Sequence, residues 1–375
     1  MSLPRRPVLP ASGLALVFLI GACGDSSAPN EAAIGDPQGL STSMRDLVGT
    51  LTNGPLAGVE NVAEFGAGAL DVLSRGHGTQ MGALLQVGSL VTRGSRDASI
   101  KPFGQWTHRL PQVDGRRFHT MGDAIDDRFY RNVYEFNSLT QQYEDNGSEL
   151  GPANGVRFVL YDVVAGALDP ANPIGTLDVE DLSDATTFQI RVRVTGVAQE
   201  TYADYNVTLP DNGVPVTDGF DLVAHGILSR GVDPMDFDLH FAQTSPLDQT
   251  VKLDLVGNGE NLHFDFADTF NPRTENSHTA VDVLLNRGKE SVRLFGFQDY
   301  DGDARQFTTD LTLRGNGRTF ATSTRDDGGF PVWEKANGDE LTQDEQILIG
   351  TLLSGVFDSV FHSLGLMLFF LLMVA

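Results

Sequence analysis

From about residue 129 to residue 333 apolar and polar side chains alternate with a period of two. That period belongs to strands with one face buried and one face wet. It predicts strands at 156–163, 187–194, 205–209, 236–242, 251–256, 262–267, 281–285, 291–297, 308–313 and 319–324. Asn-Gly pairs separate several of them. Asn-Gly suits a type I′ hairpin turn, because both central residues need positive φ. With Asn258-Gly259 at a turn, Leu255 faces Leu262, Leu253 faces Phe264 and Val251 faces Phe266. The intervening pairs are then Asp254 with His263 and Lys252 with Asp265. One face is wholly apolar, the other pairs opposite charges, and a slip of one residue scrambles both. Asn316-Gly317 repeats the design and sets Leu313 opposite Phe320.

The flanks follow a helical period. Residues 41–95 read as a helical region. Ser43 is a candidate cap, and Met44, Leu47, Val48 and Leu51 share one face. Val59, Val62, Ala63, Leu70 and Leu73 suggest a second helix, and Met81, Leu84, Leu85 and Val91 a third. Ten glycines between Gly49 and Gly94 work against all three, since each interior glycine costs about 1 kcal/mol against alanine. Near the other end Thr342 and Glu345 form a capping box. The segment 341–375 that follows is predicted as one apolar helix, interrupted by Asp358 and His362. Such a helix either fills a groove on the protein or enters lipid. The expected fold is α+β. A curled antiparallel β-meander over 96–335 is flanked by the N-terminal helices and closed by the C-terminal one.

The formal net charge of −24 makes nucleic acid a poor partner, because binding it requires Lys and Arg against phosphates. The first residues change the picture further. Arg5-Arg6 precedes an apolar run over 14–20, and then comes Ile20-Gly21-Ala22-Cys23. A basic start, a short apolar core and small residues at the cut make a secretory signal over 1–22. Cys23 is the only cysteine, so no intramolecular disulfide can form. The segment resembles the lipobox of bacterial lipoproteins. That resemblance implies a diacylglyceryl thioether and an N-acyl group on Cys23, with membrane as partner and 23–40 as a flexible tether. Gly24, where an Asp tends to retain such proteins at the inner membrane, favours the periplasmic side of an outer membrane.

Candidate chemistry in the mature chain is sparse. Asp299, Asp301, Asp303 and Asp310 have the spacing of a calcium loop, but Ala304 stands where its glycine belongs. An acidic hairpin tip is the plainer reading, and no other cofactor is implied. Asp236, Asp238 and His240 share one strand face, as do His263 and Asp265. They form either a metal site or a charge-paired solvated surface. Ser354, Asp358 and His362 lie on one helical stripe, which is not triad geometry. No nucleophile elbow, zinc-protease helix or phosphate loop is present. The expectation is a non-catalytic envelope lipoprotein holding a lipid or hydrophobic ligand between sheet and helices. Its layout is similar to that of periplasmic lipoprotein-carrier half-barrels. The alternative is a structural or assembly lipoprotein whose C-terminal helix docks in membrane or a partner.

Overall fold

The computed structural model describes residues 34–65 and 125–353, apart from residues 53, 126, 149, 165–166, 185–186, 211–219, 230–232, 246–247, 258, 272 and 326–331. The lipobox, the glycine-rich stretch beyond residue 65 and the segment 354–375, with Ser354, Asp358 and His362, lie outside the described residues. Two helices come first, α1 (Pro37–Thr52) and α2 (Pro55–Phe65). Fifteen strands follow: β1 (Val133–Asn137), β2 (Gln142–Asp145), β3 (Gly155–Val164), β4 (Ala167–Asp181), β5 (Thr187–Gly196), β6 (Thr201–Pro210), β7 (Phe220–Ser229), β8 (Pro234–Ser245), β9 (Asp248–Gly257), β10 (Glu260–Asn271), β11 (Asn276–Arg287), β12 (Glu290–Asp301), β13 (Gln306–Gly315), β14 (Arg318–Arg325) and β15 (Glu334–Lys335). A last helix, α3, runs over 343–353.

The expected α+β balance is overturned. All fifteen strands join one sheet, in the order β15 to β3 and then β1 and β2. The sheet is mixed, because β1 runs parallel to β3 while every other pairing is antiparallel. Strands outnumber the ten that periodicity marked because β1, β2, β4, β7 and β15 carry weaker signals. Pro170, Pro173 and Gly175 disguise β4. Both prolines precede Gly175, where pairing with β5 begins, so on that side their missing N–H leaves no gap in the ladder. In β7 the alternation is broken by Gly226. There the rings of Tyr205 on β6 and Phe237 on β8 meet at 5.6 Å between centroids. A Cβ on Gly226 would collide with Tyr205.

The Asn258-Gly259 hairpin has the predicted register at every pair from Val251–Phe266 to Leu255–Leu262. The second hairpin differs by one residue. Leu313 pairs with Ala321 rather than Phe320, because the register shifts between Leu313 and Arg314. Phe320 is the extra residue of a bulge, and both Phe320 and Ala321 are buried. A bulge sets two residues against one, which local alternation does not announce.

The apolar face is a regular lattice across β8 to β13. The first row reads Phe237, Leu255, Leu262, Leu285 and Val292; the second Leu239, Leu253, Phe264, Val283, Leu294 and Leu313; the third Phe241, Val251, Phe266, Val281, Gly296 and Leu311. Every side chain in these rows is buried. In the third row Gly296 has φ +146°, and a Cβ there would strike the Asp310 carbonyl oxygen on β13.

The helices seal one end of this face. Asp36 caps α1 by accepting a hydrogen bond from the Gly39 N–H at 2.8 Å, and it pairs with Arg287 at 2.7 Å. The cap is therefore Asp36 and not Ser43. Ser43 lies within the helix and donates to Glu260 at 2.5 Å. From β11 and β12, α1 runs across the strand ends toward β7, and α2 continues over β6 to β3. Leu40, Met44, Leu47, Leu56, Val59 and Val62 join the core. Helix α3 starts at the expected capping box, where the Thr342 N–H donates to Glu345 Oε2 at 2.7 Å. The Glu345 N–H returns to Thr342 Oγ1 at 3.4 Å, and Leu348 and Leu352 are buried. The edge strands β2 and β15 span four and two residues. Short edges limit edge-to-edge association.

Candidate functional site

Two surfaces carry concentrated polar chemistry. The first is the outward face of β5 to β12, where each of the four described histidines donates to an aspartate on a neighbouring strand. His225 Nδ1 donates to Asp238 at 2.5 Å, His263 Nδ1 to Asp254 at 2.6 Å and His278 Nδ1 to Asp299 at 2.6 Å. His240 Nε2 donates to Asp221. Asp238 stands directly opposite Asp254, and Asp265 opposite Asp282. Like charges so placed destabilise a sheet. Here each aspartate has a hydrogen-bond donor on its other side: His225, His263, Lys252 at 3.2 Å from Asp265, and Arg293 at 2.8 Å from Asp282. Farther along, Arg191 holds Asp204 through two bonds of 2.7 Å. Burial works against the charge on His263, but the carboxylates of Asp254 and Asp265 outweigh it and hold its pKa above the ordinary value. Asp204 is likewise partly buried, yet Arg191 and Arg193 keep it below the usual carboxylate range.

This face reads as a charge-paired surface. Asp238 and His240 each bond a residue of β7, and His263 bonds Asp254 and Asp265. No three acidic, imidazole or thiol groups among the described residues gather as a metal site. The calcium-like quartet is dispersed in the same way. Asp299 accepts from His278. Asp301 accepts from the N–H groups of Asp303 and Ala304 at 3.0 Å, closing an ordinary turn. Asp310 lies in β13 opposite Phe297, while Asp299 faces Thr308. The structure does not bring the four carboxylates together. Two open clefts mark the outward face. One of about 410 Å³ lies between Arg191, Asp204 and His225, and one of about 430 Å³ between Asn271, His278 and Asp299.

The second surface was not anticipated. Beyond its third row the apolar face turns polar. Gln243, Gln249, Asp268, Thr279, Gln298 and Thr309 stand side by side across β8 to β13, at the end away from α1. None is more than 6% exposed. Thr279 donates to Asp268 at 2.8 Å, and Gln298 Nε2 to Thr309 at 3.2 Å. The side-chain oxygens of Gln243, Gln249 and Gln298 have no hydrogen-bond partner among the described residues, and neither have Ser277 Oγ, one row farther along β11, and Ser323 Oγ, opposite Leu311 on β14. A buried polar group left unpaired costs about 1–3 kcal/mol. Five such atoms on one face therefore call for an explanation. The signal was legible in principle. Each member lies two residues beyond the third-row residue of its strand, as Gln243 follows Phe241 and Gln249 precedes Val251; on β10, β12 and β13 an aromatic residue of the same parity comes next, Phe270, Tyr300 and Phe307. Reading the inward parity one step past the apolar run finds the row.

Set against known proteins, the chain matches no family model, no curated protein and no solved structure. Among the described residues no helix is long and apolar enough to cross a membrane.

Proposed function

We propose that this chain is a membrane-anchored cell-envelope lipoprotein, without catalytic chemistry, that holds a lipid or other hydrophobic ligand between its sheet and its helices. One observation carries the ligand reading. Three apolar rows across β8 to β13 lead from the helix-sealed end to a buried polar row with unmet hydrogen bonds. One face of the sheet thus carries both apolar rows and a row of hydrogen-bonding groups. The outward face is unsuited to lipid. A membrane barrel is apolar outside, whereas these strands present Asp, His, Lys and Arg there. The anchor rests on the lipobox at Cys23, and Gly24 supports the periplasmic side of an outer membrane as its location.

The test is the lipid content of the full-length protein. Mass spectrometry of gently purified material is expected to find a bound lipid that an acyl-chain fluorophore displaces. Fatty-acid labelling is expected for the wild type and absent in Cys23→Ala; equal labelling of both sinks the anchor. A second reading, a structural or assembly lipoprotein, is favoured by the continuity of the core. One cluster runs from Tyr134 on β1 through both N-terminal helices to Leu352 on α3. A protein that carries no lipid and takes up no acyl probe would establish that reading instead.

A further inference from the structure

The two ends of the sheet differ in what their hairpin tips expose. Antiparallel pairing brings the β3–β4, β5–β6, β9–β10, β11–β12 and β13–β14 turns to the α1 end, and β1, parallel to β3, brings the β1–β2 turn there too. Of ten exposed large apolar side chains among the described residues, five stand on or beside these tips: Leu139, Val163, Val164, Val197 and Val256. Leu139 is 92% exposed and Val197 65%. Leu150 and Leu182 stand at the opposite end. Single exposed apolar residues are ordinary, but a set gathered at one end marks an interaction surface. The β11–β12 and β13–β14 turns add Lys289 and Arg318, both exposed, in a chain of net charge −24. Asp162, Asp169 and Glu290 lie at the same end. Attraction between charges therefore does not carry a contact here; the apolar tips do.

The chain also enters the fold at this end. Ile34 is buried in the core, and Asp36 is held at 2.7 Å by Arg287, the last residue of β11. Cys23 lies eleven positions before Ile34, a stretch that spans at most about 40 Å however it runs. Strand β10, with 12 residues, is also about 40 Å long. A bilayer that holds Cys23 is thus within easy reach of the α1 end. The opposite end meets it only if the connecting chain runs taut along the whole sheet.

We propose that the hairpin tips at the α1 end form a membrane-facing rim. Leu139, Val164, Val197 and Val256 enter the interface of the bilayer that holds the Cys23 acyl chains, and Lys289 and Arg318 meet its headgroup phosphates. This inference rests on the lipid anchor at Cys23, and it adds which part of the fold touches the bilayer. A bilayer is an extended surface, so tips several strands apart meet it together. The anchor keeps them beside it, so contacts that are weak singly suffice.

The experiment places single cysteines in the acylated full-length protein. With Cys23 carrying lipid, the introduced cysteine is the one free thiol. Each is labelled with a polarity-sensitive fluorophore, and the protein is reconstituted in phosphatidylethanolamine–phosphatidylglycerol vesicles that contain a nitroxide lipid. In Val164→Cys, Val197→Cys and Val256→Cys the probe is expected to emit farther to the blue, and to be quenched several-fold more strongly, than in Leu150→Cys and Leu182→Cys. Should a valine variant misfold, Leu139→Cys repeats the test at a side chain that packs against almost nothing. Probes equally wet at both ends, on protein that is acylated and floats with the vesicles, overturn the rim and leave the anchor intact. Stronger quenching at the Leu150 end overturns it as well. Tip probes shielded without vesicles in the Cys23→Ala protein, increasingly with protein concentration, assign the tips to a second copy and overturn the bilayer contact. If the wild type takes up no fatty acid and does not float with vesicles, the anchor reading itself falls, and the rim with it.

Discussion

Along β10 the inward residues are Leu262, Phe264 and Phe266, and the outward ones are His263 and Asp265. The same strand therefore presents two chemistries, and the two faces are held by different forces. Inward, aliphatic and aromatic side chains stack in rows that continue over at least six strands. Their burial is non-directional and large, roughly 1.5–3 kcal/mol for each fully buried side chain. Outward, imidazole, guanidinium and carboxylate groups pair across strands in water, where an ion pair contributes about 0–1 kcal/mol. The difference teaches that the inward face decides stability. The outward face decides that the strands tolerate one another, since facing aspartates need hydrogen-bond donors beside them. Where the inward face departs from its own rule, at the Gln243–Thr309 row, stability does not account for the departure.

The sharpest way to break this comparison is to exchange a residue on each face of the sheet. Phe264→Ala is expected to cost about 3–5 kcal/mol in chemical denaturation, because the ring is fully buried in the second row. A loss below about 1 kcal/mol would mean that the row is not a packed core. Next in size is Gly296→Ala. A Cβ at φ +146° meets the Asp310 carbonyl, so a loss of about 1–3 kcal/mol is expected from melting curves. Thr342→Ala removes half of the α3 capping box and is expected to cost about 0.5–2 kcal/mol.

The same helix end makes a pH prediction. Burial raises the Glu345 pKa, but Lys335, at 2.8 Å, and the Thr342 bonds outweigh it and hold it below the usual value. The stabilisation is thus present above the ordinary glutamate pKa and lost as pH falls through the lowered one. Thr342→Ala should flatten that acid limb.

Smaller effects sharpen the contrast within the inward face. Gln249→Leu is expected to change stability by less than about 1 kcal/mol, or to raise it. Trading a buried amide whose oxygen is unpaired for a hydrocarbon of similar size removes an unmet acceptor. A loss of about 3 kcal/mol would show that Gln249 belongs to a structural network. Smallest is the outward pair. Asp254→Asn should barely move the melting temperature but should lower the His263 pKa, read by proton NMR titration. The aspartates hold that pKa up, so the pair's contribution is present below the ordinary histidine value and lost as pH rises through the raised one. An unchanged His263 titration in the variant would remove Asp254 from the pair.

How far the sequence could be read depended on the range of the interaction that decided each feature. The Val251–Phe266 hairpin was legible because a turn and a period of two are both local. The Thr342–Glu345 box was legible for the same reason. The cap of α1 was assigned to Ser43 because Ser-x-x-Asp looks like a start. In the fold Ser43 answers Glu260 on β10, and Asp36 caps the helix. The bulge at Phe320 follows from how β13 and β14 register over several residues. Counting strands by alternation hid β4 behind two prolines, and the helical flanks then seemed a larger share of the fold than helices are among the described residues.

By itself the sequence determined the alternation of faces, the register of its sharpest hairpin and the start of α3. These need only neighbours a few residues apart. Tertiary structure alone decided that fifteen strands share one sheet, that β1 enters it parallel to β3, and that Gln243, Gln249, Asp268, Thr279, Gln298 and Thr309 form a single buried row. Those six residues are spread along 67 positions of chain, from 243 to 309. Each looks like an ordinary polar residue near a strand end until strand pairing aligns them and burial removes their water.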